Sequence, residues 1–289
     1  MRASLTTPIG PAMPRASSIR SFAGFSFRLA ALSSALLAMP SAWAQDTSLD
    51  QSLTLADSPA DVSRWGLGIA AGVKQQPYTG AGNKTQGLPL IYFENRYARV
   101  FGTGAELKLP KWDLGTRSSL TFGLRAKYGL GGYKPSDAPI LEGMAERKGS
   151  LWLGAGVTWR NEIADISAEW LGDASGKSKG QHLRLGVQRD FRTGNFTFTP
   201  RLEATWLDKK YVNYYYGVLA EEARAGRPAY LGASTLNTEV GLRVGYAIDA
   251  RQSVFVDVSA TQLGKEIKHS PLVNRSSLTS FSAGYLYRF

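Results

Sequence analysis

The feature that most limits how this chain can fold is a strict alternation of apolar and polar residues over long segments. Between Leu120 and Leu130, apolar or aromatic residues occupy the even positions, and small or charged residues occupy the odd positions. The segments 151–160, 196–207 and 239–248 show the same pattern. Because side chains alternate across a β-strand, each segment has one apolar face and one polar face. The pattern predicts an all-β protein.

Segment length favours a membrane barrel over a soluble antiparallel sheet with one wet face, which is the alternative. Soluble strands typically have about 5–6 residues, whereas a tilted strand needs about 9–11 residues to cross a bilayer. Aromatic residues also end the apolar faces, where interfacial girdles occur in transmembrane barrels. These residues are Trp65, Tyr128, Trp159, Trp170, Trp206 and Tyr246. The sequence therefore predicts a transmembrane antiparallel up-and-down β-barrel.

The number of strands follows from the segments and the lengths of their connections. The segments are 64–74, 87–94, 97–109, 117–130, 149–160, 164–173, 180–191, 195–207, 236–248, 252–264 and 278–289. Single-chain bacterial barrels have even strand counts, and short periplasmic turns alternate with longer extracellular loops. Dividing 97–109 at Gly102-Thr103-Gly104 into two short strands satisfies both conditions. We therefore expect about 12 strands, within a range of 10–12.

The N-terminal part of the 289-residue chain has the order of an export signal. A basic stretch without acidic residues precedes the apolar run 29–39, and Ala42-Trp43-Ala44 follows it. This order predicts a signal peptide over 1–44, beginning at Met1 or Met13 and cleaved after Ala44. The apolar run is too short to span a bilayer, which needs about 20 residues. Residues 45–63 are polar and aperiodic, and are expected to form a flexible periplasmic segment before a barrel over 64–289.

The C-terminal segment carries aromatic residues at alternate positions and ends in Phe289. Phe281, Tyr285, Tyr287 and Phe289 share one strand face. This ending resembles the signature that the outer-membrane assembly machinery reads, so Tyr285, Tyr287 and Phe289 are the predicted assembly signal. Together with the export signal, it predicts localisation in a Gram-negative outer membrane, with membrane lipids and the assembly machinery as partners.

Composition narrows the function further. The net charge is +11, or +7 without the four arginines of the first 44 residues. Such a surface attracts anions, but an exported barrel is not expected to meet nucleic acid. The absence of cysteine excludes disulfides, thiolate metal sites and a lipoprotein anchor. No nucleophile, base and orienting group stand in a recognisable pattern. We therefore expect no enzymatic activity, no metal and no cofactor.

The charged residues on the polar strand faces are expected to point into the barrel lumen. The basic ones are Arg125, Lys127, Arg160, Arg184, Arg201, Arg243 and Arg288, and the acidic ones are Asp165, Glu169, Asp190, Glu203, Glu239 and Asp257. Two interpretations stay open. One is a salt-bridged, mostly occluded lumen, and the other is a narrow, weakly anion-favouring pore. The first is favoured, because charges in a low-dielectric interior require partners.

Residues 208–235 interrupt the strand pattern with a tyrosine-rich loop. Leu219–Ala225 predicts two helical turns, which Gly226 and Pro228 would end. The tyrosines could pack the loop internally, or they could form a docking surface, since tyrosine is a frequent anchor in interfaces. The candidate interaction residues are Tyr214, Tyr215, Tyr216, Gly217, Val218, Gly226, Pro228 and Tyr230.

The tract that contains these residues resembles the MipA/OmpV family of outer-membrane proteins. Tyr215-Tyr216-Gly217-Val218, Glu222-Ala223 and Gly226-Arg227-Pro228-Ala229-Tyr230 carry the resemblance, together with Trp65-Gly66-Leu67-Gly68 and the terminal Phe289. It covers roughly residues 64–289 and includes no catalytic signature. It implies an outer-membrane barrel, either a scaffold that binds a murein transglycosylase and a murein synthase, or a narrow porin-like channel. A lipid hydrolase is the least favoured interpretation.

Overall fold

The computed structural model of the protein describes Met1 and residues 63–289. The expected signal peptide and nearly all of the polar segment 45–63 lie outside the described residues, so both stay predictions. None of the described helices is long and apolar enough to span a membrane.

Fourteen strand segments make up the described fold. They are β1 (Arg64–Gln75), β2 (Asn83–Glu94), β3 (Ala98–Phe101), β4 (Gly104–Lys108), β5 (Trp112–Gly115), β6 (Ser118–Tyr128), β7 (Leu151–Arg160), β8 (Asp165–Asp173), β9 (Gln181–Gln188), β10 (Phe191–Thr193), β11 (Phe196–Leu207), β12 (Thr235–Ala247), β13 (Gln252–Gln262) and β14 (Ser277–Arg288).

These segments form one closed antiparallel sheet in which chain neighbours are mostly sheet neighbours. Pairing of β14 with β1 joins the two ends of the barrel, and β9 pairs with β11. The short segments β5 and β10 only lengthen hairpins, because β5 pairs with β6 and β10 with β11. β4 and β5 together therefore count as one strand of the barrel, and so do β9 and β10. The barrel has twelve strands, as predicted. Closure leaves no lateral edge of the sheet along most of the wall.

The predicted division of segment 97–109 is confirmed. β3 and β4 are short strands joined at Gly102, whose φ of 56° lies in the left-handed region that glycine adopts without strain. The β3–β4 hairpin is much shorter than its neighbours.

The outer face of the barrel is apolar, as the alternation predicts. Leu67, Ile69, Leu202 and Val240 are 55–69% exposed on it. All six predicted girdle aromatics are also among the exposed large hydrophobic residues. Exposed apolar area of this extent is unusual for a soluble monomer and matches the lipid-facing band of a transmembrane barrel.

Long loops gather at one end of the barrel, and short turns and the C-terminus lie at the other. The loops contain α1 (Lys209–Tyr216), α2 (Lys265–Lys268) and 3-10 turns at Pro135–Asp137, Pro139–Leu141 and Ala220–Glu222.

The helix predicted over Leu219–Ala225 is wrong. The helix of this loop is α1, which begins earlier because the Asp208 carboxylate accepts the Tyr211 N–H at 2.8 Å and caps it. Only a single 3-10 turn forms within the predicted segment, since the Glu222 side chain turns back to accept the Leu219 N–H at 3.1 Å.

Candidate functional site

Charged side chains from neighbouring strands meet inside the barrel. Glu169 on β8 is 1% exposed and lies 2.8 Å from Arg125 and 2.9 Å from Lys127, both on β6. Arg125 also pairs with Glu106 on β4 at 3.0 Å, and Glu106 lies 3.4 Å from Arg99 on β3. Each buried charge here faces an opposite charge, which offsets the cost of removing it from water.

A second group of charges lies on the strands that follow. Asp257 on β13 accepts from Arg201 at 2.8 Å and from Arg243 at 3.0 Å. Arg201 also pairs with Glu239 at 3.1 Å. Arg201, Arg243 and Asp257 are nearly fully buried, at 2–3% exposure. These pairs fix side chains from β11, β12 and β13 in the lumen.

Arg184 and Glu203 connect the two groups. Arg184 is the register partner of Glu169 and lies 3.6 Å from Glu203, and Glu203 lies 4.0 Å from Arg201. We call the whole set the ionic cluster; its members are Arg99, Arg125, Lys127, Arg184, Arg201, Arg243, Glu106, Glu169, Glu203, Glu239 and Asp257. The near balance of bases and acids is what a salt-bridged lumen requires.

The ionic cluster contains most of the predicted lumen charges but not all. Arg160 and Asp165 form a separate pair at 3.8 Å near the short-turn end, and Asp190 accepts the Thr199 hydroxyl at 2.7 Å. Arg99 and Glu106 are the members that the sequence did not reveal. Their strands, β3 and β4, have only four and five residues, too few to show an alternation.

The other side of the lumen is apolar. Six residues from β1, β2, β3, β13 and β14 form a buried cluster there: Ala70, Leu90, Tyr92, Phe101, Phe255 and Leu286. The Arg243 guanidinium lies 5.2 Å from the centre of the Phe255 ring, which is a cation–π contact. Because this contact joins the apolar cluster to the ionic cluster, we call the two together the lumen plug.

Glycines on the lumen faces make room for the lumen plug. A Cβ atom added at Gly241 would lie 2.4 Å from the Arg201 guanidinium carbon, and one at Gly284 would lie 2.5 Å from the Phe255 ring. The Arg125 guanidinium covers Gly156 in the same way. Gly156, Gly241 and Gly284 are therefore positions over which large side chains from adjacent strands lie.

The long loops fold over the barrel mouth as a second packed layer, which we call the loop cap. Its buried apolar residues come from four connections and the strand ends beneath them: Tyr78, Ala81, Tyr133, Ala138, Leu141, Met144, Trp152, Leu171, Leu207, Tyr211, Val212, Tyr215, Tyr216, Val218, Leu263, Ile267, Leu272, Val273 and Leu278. Edge-to-face contacts between aromatic rings, such as Tyr78 against Tyr133 at 5.0 Å, order its interior.

Two buried arginines join the loops of the cap. Arg147 donates to both carboxylate oxygens of Glu222 at 2.8 and 2.9 Å and to the Tyr214 carbonyl at 2.9 Å. Arg227 is 2% exposed and donates to the carbonyls of Glu222 and Glu142. Arg227 lies inside the tract that carried the family resemblance, yet only the packed loops reveal that it links 131–148 to 208–235.

The predicted interaction loop is largely internal. Tyr215, Tyr216, Gly217 and Val218 are buried in the loop cap, and Tyr214 and Tyr230 are partly buried. Gly226 and Pro228 are exposed. The tyrosines thus pack the loop, and a docking role stays a prediction for the exposed residues only.

Comparison with known proteins identifies the barrel. The family described as MltA-interacting protein MipA matches residues 67–289. The chain belongs to this family. The MltA-interacting protein of Escherichia coli K12 is 25% identical over 232 residues, or 78% of this chain and 90% of the relative. The outer membrane protein YiaT of the same organism is 25% identical over 233 residues, with coverages of 80% and 93%.

The chain is also similar to other outer-membrane proteins. The outer membrane protein OmpV of Vibrio cholerae is 29% identical over 167 residues, which cover 54% of this chain and 61% of the relative. Among solved structures, the COG4313 outer membrane channel from Pseudomonas putida F1 aligns with a TM-score of 0.42 and 11% identity, over 81% of this chain and 97% of that chain. None of the proteins named here carries the name of an enzyme.

Membership of the MipA family and the barrel fold place the protein in the outer membrane, as the sequence predicted. Outer-membrane barrels have short periplasmic turns and long extracellular loops. The loop cap is therefore extracellular, and the C-terminal Phe289 is at the periplasmic end. β14 presents Tyr285, Tyr287 and Phe289 on the lipid-facing side, with the last two rings 5.3 Å apart. Their recognition by assembly machinery stays a prediction.

Acidification should loosen the loop cap through Glu222. Burial alone would raise the pKa of Glu222, but the N–H groups of Ala145 and Leu219 and the Arg147 guanidinium outweigh it and lower the pKa. A carboxyl group whose pKa is lowered in the folded state stabilises the fold fully at pH values above its ordinary pKa, which is about 4.3 for glutamate. This stabilisation is lost as the pH falls through the lowered pKa. We expect pepsin cleavage within 131–148 and 208–235 to increase steeply below about pH 4.

Glu222→Gln should remove most of this pH dependence, because glutamine cannot ionise. At the upper end of the pH range, the loops of this variant should already be cleaved faster than those of the unmodified protein. Glu221→Gln, at the exposed neighbouring position, is the matched control and should titrate like the unmodified protein. Equal acid sensitivity of all three proteins would contradict the assignment to Glu222.

Proposed function

We propose that this MipA family protein is a non-conducting outer-membrane scaffold that holds a murein transglycosylase, and with it a murein synthase, at its periplasmic face. The observation that carries the proposal is the closure of the lumen at two levels. The lumen plug and the loop cap together occupy the space that a solute channel needs. Its remaining accessible surfaces are the lipid face, the cap and the periplasmic turns.

The packing of both layers supports closure. In the lumen plug, Leu90, Leu286 and Glu169 are 1% exposed, which supports a filled interior at their level. In the loop cap, Leu141 and Ile267 are fully buried. The name of the relative from Escherichia coli, MltA-interacting protein, supports a partner among murein-cleaving enzymes.

The periplasmic turns offer the surface for such a partner. β5 and β10 lengthen two hairpins at this end, and the residues of 110–117 are all exposed. Arg117 and Glu162 form an exposed ion pair at 3.2 Å that joins two turns. Because a periplasmic enzyme reaches only this end of the barrel, the contact is assigned to these turns and not to the tyrosine-rich loop.

Single-cysteine cross-linking tests the assignment, since the chain has no cysteine of its own. Lys111→Cys and Arg192→Cys place a thiol on the two lengthened hairpins, and Lys209→Cys places one on the extracellular α1. Each refolded barrel is labelled with a maleimide photocross-linker and mixed with purified murein lytic transglycosylase. We expect cross-linked product from the two periplasmic positions and none from position 209.

Cross-linking from all three positions, or from position 209 alone, would refute a periplasmic docking face. A product from none of them, together with no transglycosylase retained by the immobilised unmodified barrel, would refute the scaffold function itself.

A further inference from the structure

Exposed lysines are concentrated in two neighbouring loops of the cap, the β8–β9 loop and the loop that begins with α1. Because β9 pairs with β11, these two loops start side by side. The Asp208 N–H donates to the Gln181 carbonyl at 3.1 Å and continues this pairing up to the first turn of α1. The exposed lysines, which we call the lysine patch, are Lys177, Lys179, Lys209 and Lys210.

The two acidic residues beside the lysine patch are occupied within their own loops. The Asp173 carboxylate accepts the N–H groups of Ser178 and Lys179 at 2.6 and 3.0 Å. The Asp208 carboxylate accepts the Tyr211 N–H and caps α1. Among the residues that the structure describes, no ion pair involves a lysine of the patch. The patch therefore presents positive charge to its surroundings.

The backbone of Lys179 has an unusual conformation. Its φ of 52° lies in the left-handed region, and no other non-glycine residue of the described part of the chain has a positive φ. Glycine adopts this conformation without the steric cost that a lysine side chain brings. The loop is also held in place, because the Lys177 ammonium donates to the Gly149 carbonyl at 2.7 Å. A lysine kept at a strained position in an ordered loop indicates a function for its side chain.

Two tryptophans lie on the lipid-facing wall directly below the lysine patch. Leu183 on β9 is the register partner of both Trp170 on β8 and Trp206 on β11. These three side chains form one row and are 37–48% exposed. Lys179 precedes Leu183 by four residues, and Lys209 follows Trp206 by three. Since an aromatic girdle marks the level at which lipid headgroups meet water, the lysines lie at headgroup level.

We propose that the lysine patch and the aromatic row below it bind one molecule of lipopolysaccharide, the phosphorylated glycolipid of the outer leaflet. The loop cap is extracellular, so its rim meets outer-leaflet lipid. The lipid A phosphates bind the ammonium groups of Lys179, Lys209 and Lys210, because charge-assisted hydrogen bonds are stronger than neutral ones. The acyl chains extend downward along the row of Trp170 and Trp206. A lipid with two phosphates and several chains matches both parts of the surface.

Native mass spectrometry of the refolded mature barrel tests the charge match. The probe is deep-rough lipopolysaccharide that carries both lipid A phosphates. Its monophosphoryl form and phosphatidylglycerol are the comparison lipids, and each is added to the barrel in neutral detergent micelles. We expect one molecule of the probe to be retained, with roughly tenfold or more weaker retention of phosphatidylglycerol and intermediate retention of the monophosphoryl form.

Removing the charge of the lysine patch should weaken binding of the probe. A patch variant that combines Lys179→Gln, Lys209→Gln and Lys210→Gln should bind it roughly tenfold or more weakly, since each basic residue near a membrane surface contributes to the binding of anionic lipids. A control variant loses the same charge elsewhere on the loop cap and should bind as the unmodified barrel does. Heat-modifiable migration checks that both variants are folded. The control substitutions, all at exposed positions, are Lys134→Gln, Lys265→Gln and Lys268→Gln.

Photocross-linking locates the bound molecule on the barrel wall. Leu185→Cys places a thiol on the lipid-facing side of β9, two residues below Leu183. Ala71→Cys places one on the lipid-facing side of β1, also four residues from the extracellular end of its strand. With a benzophenone maleimide on each thiol, we expect saturable cross-linking of the probe from position 185 and only weak, non-saturating cross-linking from position 71. The patch substitutions should abolish the saturable signal.

Three results would each overturn the proposal. The first is equal binding of the probe by the patch variant and the unmodified barrel. The second is equal retention of phosphatidylglycerol and the probe, which would indicate a general attraction of anionic lipids. The third is equal cross-linking from positions 185 and 71, which would indicate a lipid shell without a preferred site.

Discussion

A planar bilayer that contains the refolded barrel should carry no steady current, and only a variant altered at both closed levels should conduct. Arg201→Ser with Asp257→Ser removes a buried pair from the lumen plug. Because one base and one acid are removed together, the net charge of the ionic cluster does not change. This variant should stay silent, because the loop cap still covers the mouth.

Glu222→Ala with Arg227→Ala, which unlinks the loops of the cap, should also stay silent, because the lumen plug remains. The four substitutions combined should produce ion conductance. Single-channel recording of the four proteins, each checked for heat-modifiable migration as folded barrels, distinguishes these outcomes. A steady current through the unmodified barrel would contradict closure and favour the porin-like alternative.

Asp257→Asn should be among the most destabilising substitutions of similar size in this protein. The carboxylate accepts two hydrogen bonds from Arg201, at 2.8 and 3.0 Å, and one from Arg243 at 3.0 Å. Asparagine keeps the shape but removes the charge, so two buried guanidinium groups lose their shared counter-charge. Breaking a buried pair in this way costs about 3–5 kcal/mol.

Urea unfolding of the barrel in lipid vesicles measures the effect as a lower free energy of unfolding. Asp113→Asn is the matched control. Asp113 pairs with Lys111 at 3.1 Å, but both side chains are at least half exposed, so its loss should cost about 0–1 kcal/mol. Equal costs for the two substitutions would show that the pairs of the ionic cluster contribute no more than surface pairs.

The outer wall and the candidate lumen charges were predictable because they depend on local order. Alternation with period two assigns each residue of a strand to one of two faces, without any knowledge of its neighbours. Arg125, Arg201 and Asp257 could therefore be placed in the lumen from sequence alone. Their partners could not, because the choice of partner depends on the register between strands. Glu106 is the clearest example, since its short strand shows no pattern of its own.

The loop cap was decided by tertiary structure. Tyr215 and Tyr216 look like exposed anchors in a polar loop, and they become buried only because four connections converge over one barrel mouth. Arg227 gains its role from carbonyl groups about 85 positions away in the chain. Likewise, only the structure shows that β3 ends at Phe101 and pairs with just three residues of β2, Tyr92–Glu94.

The sequence by itself thus determined a twelve-stranded outer-membrane barrel, the face on which the residues of its long strands lie, and the family to which the chain is similar. All three follow from short-range periodicity and from a contiguous tract of residues. Only the tertiary structure decided which charges pair in the lumen and that the loops pack over its mouth. Those properties depend on contacts between residues distant in the chain, and such contacts leave no period in the sequence.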